Sequence, residues 1–527
     1  LFVLAGALLL YFLRFGYDYG TSDQDEVLPL LLHRLDPEVL AQDWFILTQA
    51  AGFSIRTYFV SMLEVLSWLL PVWLSVLLLY VAAWLLIAAA VYALGYAFTR
   101  NRPAAAAAVI GALVLTPQWT LGGNDLVHSM LVPSMWGWAL GLWGLVYFLR
   151  SKPGRAAVLL GLATWMQALV GLQLAGLLGI VYLWRFLEKR IPFRTILVFG
   201  GLYLMTALPS LGPLVLQQLT ETAPVESQGM PSMFYILAQF RIPHHYLFFS
   251  FPLRSLLKFG GLVVLGGTSF ALLSRRQILY QAHFLVKSFV IMGISYLVTF
   301  LFTEMVPVLF VAQLQLFKTT VLAKLLCIIV ICGLGTVWLP SHISTLLSTL
   351  LKDRLWTLVL LLGTYLFVSG GLLFEGDWVR EKVGPFAREG TPQEQVEVWA
   401  RTQTPRDAVF AVPPSWAHFR AQAQRAMVVS FKAFPYRNPA NYQWFERLTT
   451  LAPLDLPDRA TPALQNTLDA SFLGQSAAAL RHLADEYGFS YVVRSIPLDT
   501  VNTSFELVYS SDDWRVYHLV SEEPRAE

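Results

Sequence analysis

Hydrophobic runs separated by short polar connections occupy roughly the first 375 of 527 residues. About eleven apolar segments stand out, near 1–15, 60–98, 104–118, 133–149, 156–166, 171–184, 195–215, 253–273, 284–302, 320–339 and 355–374, and they predict membrane-embedded helices. Lys and Arg gather in every second connection: Arg100 and Arg102; Arg150, Lys152 and Arg155; Arg185, Lys189, Arg190 and Arg194; Arg275 and Arg276; Lys352 and Arg354. By the positive-inside rule those connections are cytoplasmic, and the loops between them lie on the other side. The stretch 156–184 has basic flanks at both ends, so it must cross an even number of times. The polar break "WMQALVGLQ" supplies the turn between two short arms, and Gln167 and Gln173 become candidate cavity residues or links to neighbouring helices. The first run starts abruptly, without a basic leader or cleavage pattern, and reads as an incompletely represented helix and not as a signal peptide.

From about residue 376 the pattern changes to that of a water-soluble domain. "DAVFAVP", "MVVSFK", "YVVRS", "FELVYS" and "WRVYHLV" read as strands, while "SWAHFRAQAQR", "NPANYQWFERLTTLA" and "SAAALRHLADEYG" read as helices. The expectation is a membrane domain over 1–375, with a first extracytoplasmic loop at 16–56, and an extracytoplasmic α/β domain over 376–527. Composition agrees: 56% of residues are hydrophobic, only 13% are charged, and mean hydropathy is +0.56. The net charge of +3 is spread over loops, which gives no support for a nucleic-acid partner. Cys327 and Cys332 share one apolar run at a spacing that puts them on different helix faces, so neither a disulfide nor a thiolate metal site is implied. Extracytoplasmic loops without cysteine suit a bacterial inner (cytoplasmic) membrane.

Against this background the first loop is unusual. Residues 16–45 hold Asp18, Asp23, Asp25, Glu26, Asp36, Glu38 and Asp43. Leu28, Leu31, Leu32 and Leu35 form an apolar stripe at helical spacing, which places Asp23, Asp25 and Glu26 at a helix start. Carboxylates there can simply cap free N–H groups. Alternatively, one held at the membrane surface can take a proton from an acceptor hydroxyl. A second polar group is "QFRIPHHYLFF", where Arg241 can grip a phosphate and His244 and His245 can position a diphosphate or sugar, or simply anchor the loop at the interface. Lys318 in "AQLQLFKTTVLAK" falls at the outer membrane boundary, at phosphate level, where a snorkelling lysine is equally expected. "GGNDLVHS" offers Asn124, Asp125 and His128 on the same side. In the soluble part, Arg425, Lys432 and Arg437 stand near aromatic residues. No GxGxxG, Walker loop, HExxH or GxSxG appears, which disfavours a nucleotide-driven pump or a soluble-type hydrolase.

The run "DQDEVLPLLLHRLDPEVLAQDWF", with an acidic pair, a surface helix and a later acid before Trp, resembles the first loop of the GT-C superfamily, the integral-membrane glycosyltransferases that use polyprenyl-phosphate sugars. The resemblance extends to the plan of many spans, short broken helices around a cavity and a C-terminal extracytoplasmic α/β domain. The "RIPHH" stretch also resembles a feature of bacterial GT-C-like membrane proteins of unassigned reaction. What the resemblance implies is a first-loop acid as catalytic base, by position Asp25 or Asp23 with Glu26 in support, Asp43 as the later acid, and Lys318 as the contact to the carrier phosphate. It also implies a polyprenyl-phosphate-linked sugar and membrane lipid as partners, leaving the acceptor and any divalent cation open. The tryptophan-rich signature of oligosaccharyltransferases is absent. The alternative is a non-catalytic accessory subunit of a larger membrane complex that retains the scaffold. Coupled transport is disfavoured, because Glu64, Lys258, Lys287 and Lys324 all fall near segment ends.

Overall fold

The computed structural model describes residues 2–221, 229–338, 391–498 and 504–520. The eleventh apolar segment, 355–374, the basic pair Lys352 and Arg354, and the composition boundary near residue 376 lie outside the described residues. The chain divides into two compact units. One comprises the described parts of Leu1–Tyr17, Val76–Gly212 and Pro243–Val383; the other comprises those of Asp18–Ser75, Pro213–Ile242 and Gly384–Glu527. The first loop therefore groups with the C-terminal region and not with the apolar helices, a division that a reading along the chain by composition does not reach.

The helices, in chain order, begin with α1 (Phe2–Phe15), α2 (Gln24–Leu35), α3 (Trp44–Ala50) and α4 (Thr57–Ser67). Next come α5 (Val72–Thr99), α6 (Arg102–Ile110), α7 (Pro133–Leu149), α8 (Pro153–Met166), α9 (Ala168–Leu187) and α10 (Phe193–Thr220). They are followed by the short α11 (Pro243–Tyr246), then α12 (Leu253–Arg275), α13 (Ala282–Phe300), α14 (Leu309–Leu314) and α15 (Thr320–Gly333). Among the described residues six helices are long and apolar enough to cross a membrane: Val72–Thr99, Ala168–Leu187, Phe193–Thr220, Leu253–Arg275, Ala282–Met305 and Leu309–Thr336. The count of eleven spans is not reproduced by length and composition.

Two boundaries differ from the periodicity reading. The run 60–98 is not one helix: Pro71 separates α4, which belongs to the second unit, from α5. The break in 156–184 is real, but a single residue makes it. Gln167 alone is extended (φ −150°, ψ 101°), so α9 runs for 20 residues, about 30 Å at helical rise, and only α8 is short. Gly171 lets the two arms close up, since a Cβ there would collide with Thr164. Gln173 consequently lies inside α9 and not in the turn.

In the second unit, α2 packs on α3 and α4 through a buried face that includes Val27, Leu28, Leu30 and Leu31. The C-terminal part adds α16 (Pro392–Gln403), α17 (Phe419–Ala423), α18 (Ala440–Leu451), α19 (Leu464–Leu473) and α20 (Ala477–Tyr487). Its strands are β1 (Val409–Ala411), β2 (Ala426–Met427), β3 (Tyr491–Arg494), β4 (Phe505–Ser510) and β5 (Arg515–Leu519). The sheet order is β2-β1-β3-β5-β4, with β2, β1 and β3 parallel and β5 antiparallel to both its neighbours. Four of the five strands were legible as apolar runs; the run "MVVSFK" meets β2 only at Met427, and α16 and α19, richer in polar residues, were not read. Val396, Phe410, Phe419, Met427, Val493 and Val516 form the core between sheet and helices.

Candidate functional site

In the second unit, the acids of the first loop are gathered by basic side chains from three other segments. Gln24 Oε1 accepts from Gly20 N at 2.7 Å, fixing the chain as it enters α2. Asp23 occupies the N-cap position but makes no capping bond; its carboxylate pairs with Lys432 at 2.7 Å, both partly exposed. Asp25 and Glu26 follow in the first turn and are 3% and 2% exposed. Glu26 is shared by two guanidiniums, pairing with Arg56 through one oxygen and with Arg241 at 3.4 Å through the other. Arg241 also donates to Tyr436 Oη at 2.9 Å and to the Lys432 carbonyl at 2.7 Å, and its guanidinium lies 4.8 Å from the Phe434 ring centre. The phosphate grip expected of Arg241 is thus taken up largely by protein groups. Burial pushes the Arg56 guanidinium below its ordinary pKa; Tyr436 and Asp23 pull it back up, and Arg241 pushes it further down.

Arg56 had no signal in sequence beyond being a lone arginine ahead of an apolar run, and Tyr436 none at all; only the fold brings Arg56 to Glu26 and Tyr436 to Arg241. Asp43, expected as the later acid of the site, is fully buried in a structural position. One oxygen caps α3 by accepting from Ile46 N at 3.0 Å, and the other accepts from Arg420 Nε at 2.7 Å and Met427 N at 3.0 Å.

The first unit gathers the remaining candidates. His244 and His245 lie on α11, with ring centres 4.5 Å apart. They face the "GGND" turn: a Cβ on Gly123 would sit 3.6 Å from the His245 ring and 3.7 Å from that of His244. Gly122 and Gly123 have φ of +73° and +66°, which glycine alone adopts without strain, so this close approach depends on both. Asp125 is buried with Lys324, whose ammonium also donates to the Thr116 carbonyl at 2.9 Å; the carboxylate accepts from Gln118 N and Leu126 N, each at 2.7 Å. That ion pair pins the glycine turn onto α15. Replacing Lys324 with methionine is expected to cost about 1–3 kcal/mol, because two backbone N–H groups still serve Asp125. A lower melting temperature in detergent checks this, and the Asp125→Asn, Lys324→Met double variant should recover part of the loss.

Lys318 lies in a 3-10 turn, Leu316–Thr319, ahead of α15. Gln167 packs toward α7, where a Cβ on Gly137 would come within 2.9 Å of its own Cβ. The structure therefore splits the expected residues between the units: Asp23, Asp25, Glu26, Asp43 and Arg241 in one, and Gln167, His244, His245 and Lys318 in the other. Among the described residues no group of three or more His, Cys, Asp or Glu is placed to hold a metal ion.

The fold has solved counterparts. The structure of ArnT from Cupriavidus metallidurans bound to undecaprenyl phosphate superposes with a TM-score of 0.53 at 13% identity, over 99% of this chain and 98% of that one. Its apo form gives 0.50 at 14% identity, over 98% and 97%. This chain has the GT-C fold. The Archaeoglobus fulgidus oligosaccharyltransferase, tethered to an acceptor peptide, gives a TM-score of 0.49 at 13% identity, over 94% of this chain and 68% of that one. The GT-C architecture and the six apolar helices make this a multi-pass membrane protein, with a membrane-helical core and a C-terminal sheet domain. A domain of unknown function (DUF6798) matches residues 387–451, which include Arg420, Lys432 and Tyr436. No curated protein matches the sequence.

Proposed function

We propose that the chain is a membrane glycosyltransferase that moves a sugar from a polyprenyl-phosphate carrier to an acceptor on the extracytoplasmic side of a bacterial inner membrane. The observation that carries this reading is the burial of Asp25 and Glu26 in the first turn of α2, together with two arginines. Carboxylates serving only solubility would face water, where their charge is hydrated at no cost. Glu26 is shared by Arg56 and Arg241, Asp23 pairs with Lys432 near the surface, and Asp43 pairs with Arg420. The base role goes to Asp25 by its position in the buried first turn of α2, where the resemblance to the GT-C first loop places the reacting acid.

In this reading Asp25 accepts the proton of the acceptor nucleophile as that atom bonds to the anomeric carbon and the carrier phosphate departs with the bonding pair. Arg56 and Arg241 pair with Glu26 and supply fixed positive charge beside the acids. Within the first unit, Lys318, His244 and His245 are the groups suited to a carrier phosphate, and Gln167 holds the α8–α9 turn against α7. The ArnT structure with undecaprenyl phosphate supports a carrier of that type here. The C-terminal domain is assigned to the extracytoplasmic side because the loops that precede α2 and α11 carry the site residues and avoid the basic clusters.

The test is direct binding of undecaprenyl phosphate to the purified chain in nanodiscs. Lys318→Gln is expected to weaken it by about tenfold, equivalent to about one charge-assisted hydrogen bond, and His244→Gln with His245→Gln by a similar factor. The accessory-subunit reading is favoured by one feature, that the first-loop acids Asp23, Glu26 and Asp43 sit in ion pairs as a scaffold would have them. A wild-type chain that binds no carrier and co-purifies with a larger membrane complex would establish it instead.

A further inference from the structure

In the first unit, two buried amide oxygens lack a hydrogen-bond partner among the described residues: Gln173 Oε1 and Gln315 Oε1. Each residue is 9% exposed. The orientation of Gln173 is dictated by its neighbours, because its NH₂ group donates to the carbonyls of Leu314 at 2.7 Å and Gln315 at 3.1 Å, which can only accept. Its oxygen is therefore the atom left without a donor. The Gln315 NH₂ donates to Tyr246 Oη at 2.7 Å. Gln315 also holds a left-handed backbone conformation, φ 46° and ψ 47°, which a non-glycine residue keeps only where the surroundings impose it. A buried acceptor without a donor is costly, and two on touching residues are costlier still. Such a pair is expected where a ligand brings the donors.

We infer that Gln173, Gln315 and Tyr246 form a subsite for the hydroxyl groups of the sugar carried by the lipid donor, a reading that rests on the polyprenyl-phosphate function proposed above. Chain connectivity supports the assignment. Tyr246 closes α11, directly after His244 and His245, and Gln315 opens the turn that presents Lys318 three residues later. The elements that carry donors suited to a phosphate thus also carry acceptors suited to hydroxyls. A phosphate or carboxylate, which offers only acceptors at neutral pH, cannot satisfy two amide oxygens; a neutral polyol can.

The experiment compares the affinity of undecaprenyl phosphate with that of its hexosyl and pentosyl derivatives, in nanodiscs, for the wild-type chain and for Gln173→Leu, Gln315→Leu and Gln315→Glu. The wild type is expected to bind at least one glycosylated form more tightly than the bare carrier. Each leucine variant should lose about tenfold of that sugar-dependent gain while its affinity for bare carrier changes less than about threefold. Gln315→Glu, which retains an acceptor, should keep most of the gain, showing that loss in the leucine variants is not loss of folding. Equal weakening toward bare and glycosylated carrier would mean that the two oxygens hold only a structural water, and overturns the subsite. So does a wild type that binds bare carrier with no gain from any sugar. A wild type that binds neither form overturns the carrier function itself, and the subsite with it.

Discussion

Asp25→Asn is expected to reduce sugar transfer by about 10²–10⁴-fold, the usual worth of a positioned general base, while the affinity for undecaprenyl phosphate stays within about threefold of wild type. Asparagine matches aspartate in size, so the buried start of α2 is preserved and the effect reports proton acceptance and not packing. The neighbouring acids serve as internal controls. Asp23→Asn breaks a partly exposed pair with Lys432, worth about 0–1 kcal/mol, and should leave transfer nearly intact. Glu26→Gln leaves Arg56 and Arg241 without their shared carboxylate and should lower both stability and rate. The measurement is single-turnover transfer from a glycosylated carrier in reconstituted membranes. Full activity in Asp25→Asn, alone and combined with Asp23→Asn, would remove the base assignment.

Asp43→Ala is expected to destabilise the second unit by about 3–5 kcal/mol, the cost of leaving one buried ion without its partner. Three groups lose their acceptor at once: the Arg420 guanidinium, the Met427 N–H and the Ile46 N–H that begins α3. Arg420 would keep its bond to Ser430 Oγ at 3.0 Å and its position 5.3 Å from the Phe45 ring centre, but as an uncompensated buried cation. The double variant Asp43→Ala, Arg420→Met should be more stable than the single, since it buries neither charge. Limited proteolysis around residues 419–427 and thermal unfolding in detergent check this. A wild-type melting temperature for Asp43→Ala would show that the pair contributes nothing, and would return Asp43 to the list of catalytic acids.

The tether gives this conspicuous acid a structural role that a reading of the sequence does not reach. "QDWF" carries an acid before Trp in the manner of the GT-C first loop, and in one dimension nothing separates an acid that reacts from one that holds a distant segment. Its partner, Arg420, lies 377 residues further on. The same limitation applied to Arg241, whose donors turn out to be shared among Glu26, Tyr436 and Lys432. Arg56 gave no signal because a single cation beside an apolar run is indistinguishable from any interfacial arginine. Gln173 was visible as a polar interruption, but its partners at 314 and 315 were not.

The order of apolar runs, the basic clusters between them, the break at Gln167, the helix that bears the acids and the strands of the C-terminal domain all follow from local pattern. Hydrophobic periodicity, charge placement and turn residues act over a few positions, so they survive in one dimension. Which acid is buried, which cation reaches it and which residues share a compact unit were decided by tertiary structure alone. Those outcomes depend on desolvation and on pairing between segments hundreds of residues apart, and a carboxylate carries no mark in the sequence of whether water or a guanidinium will be its neighbour.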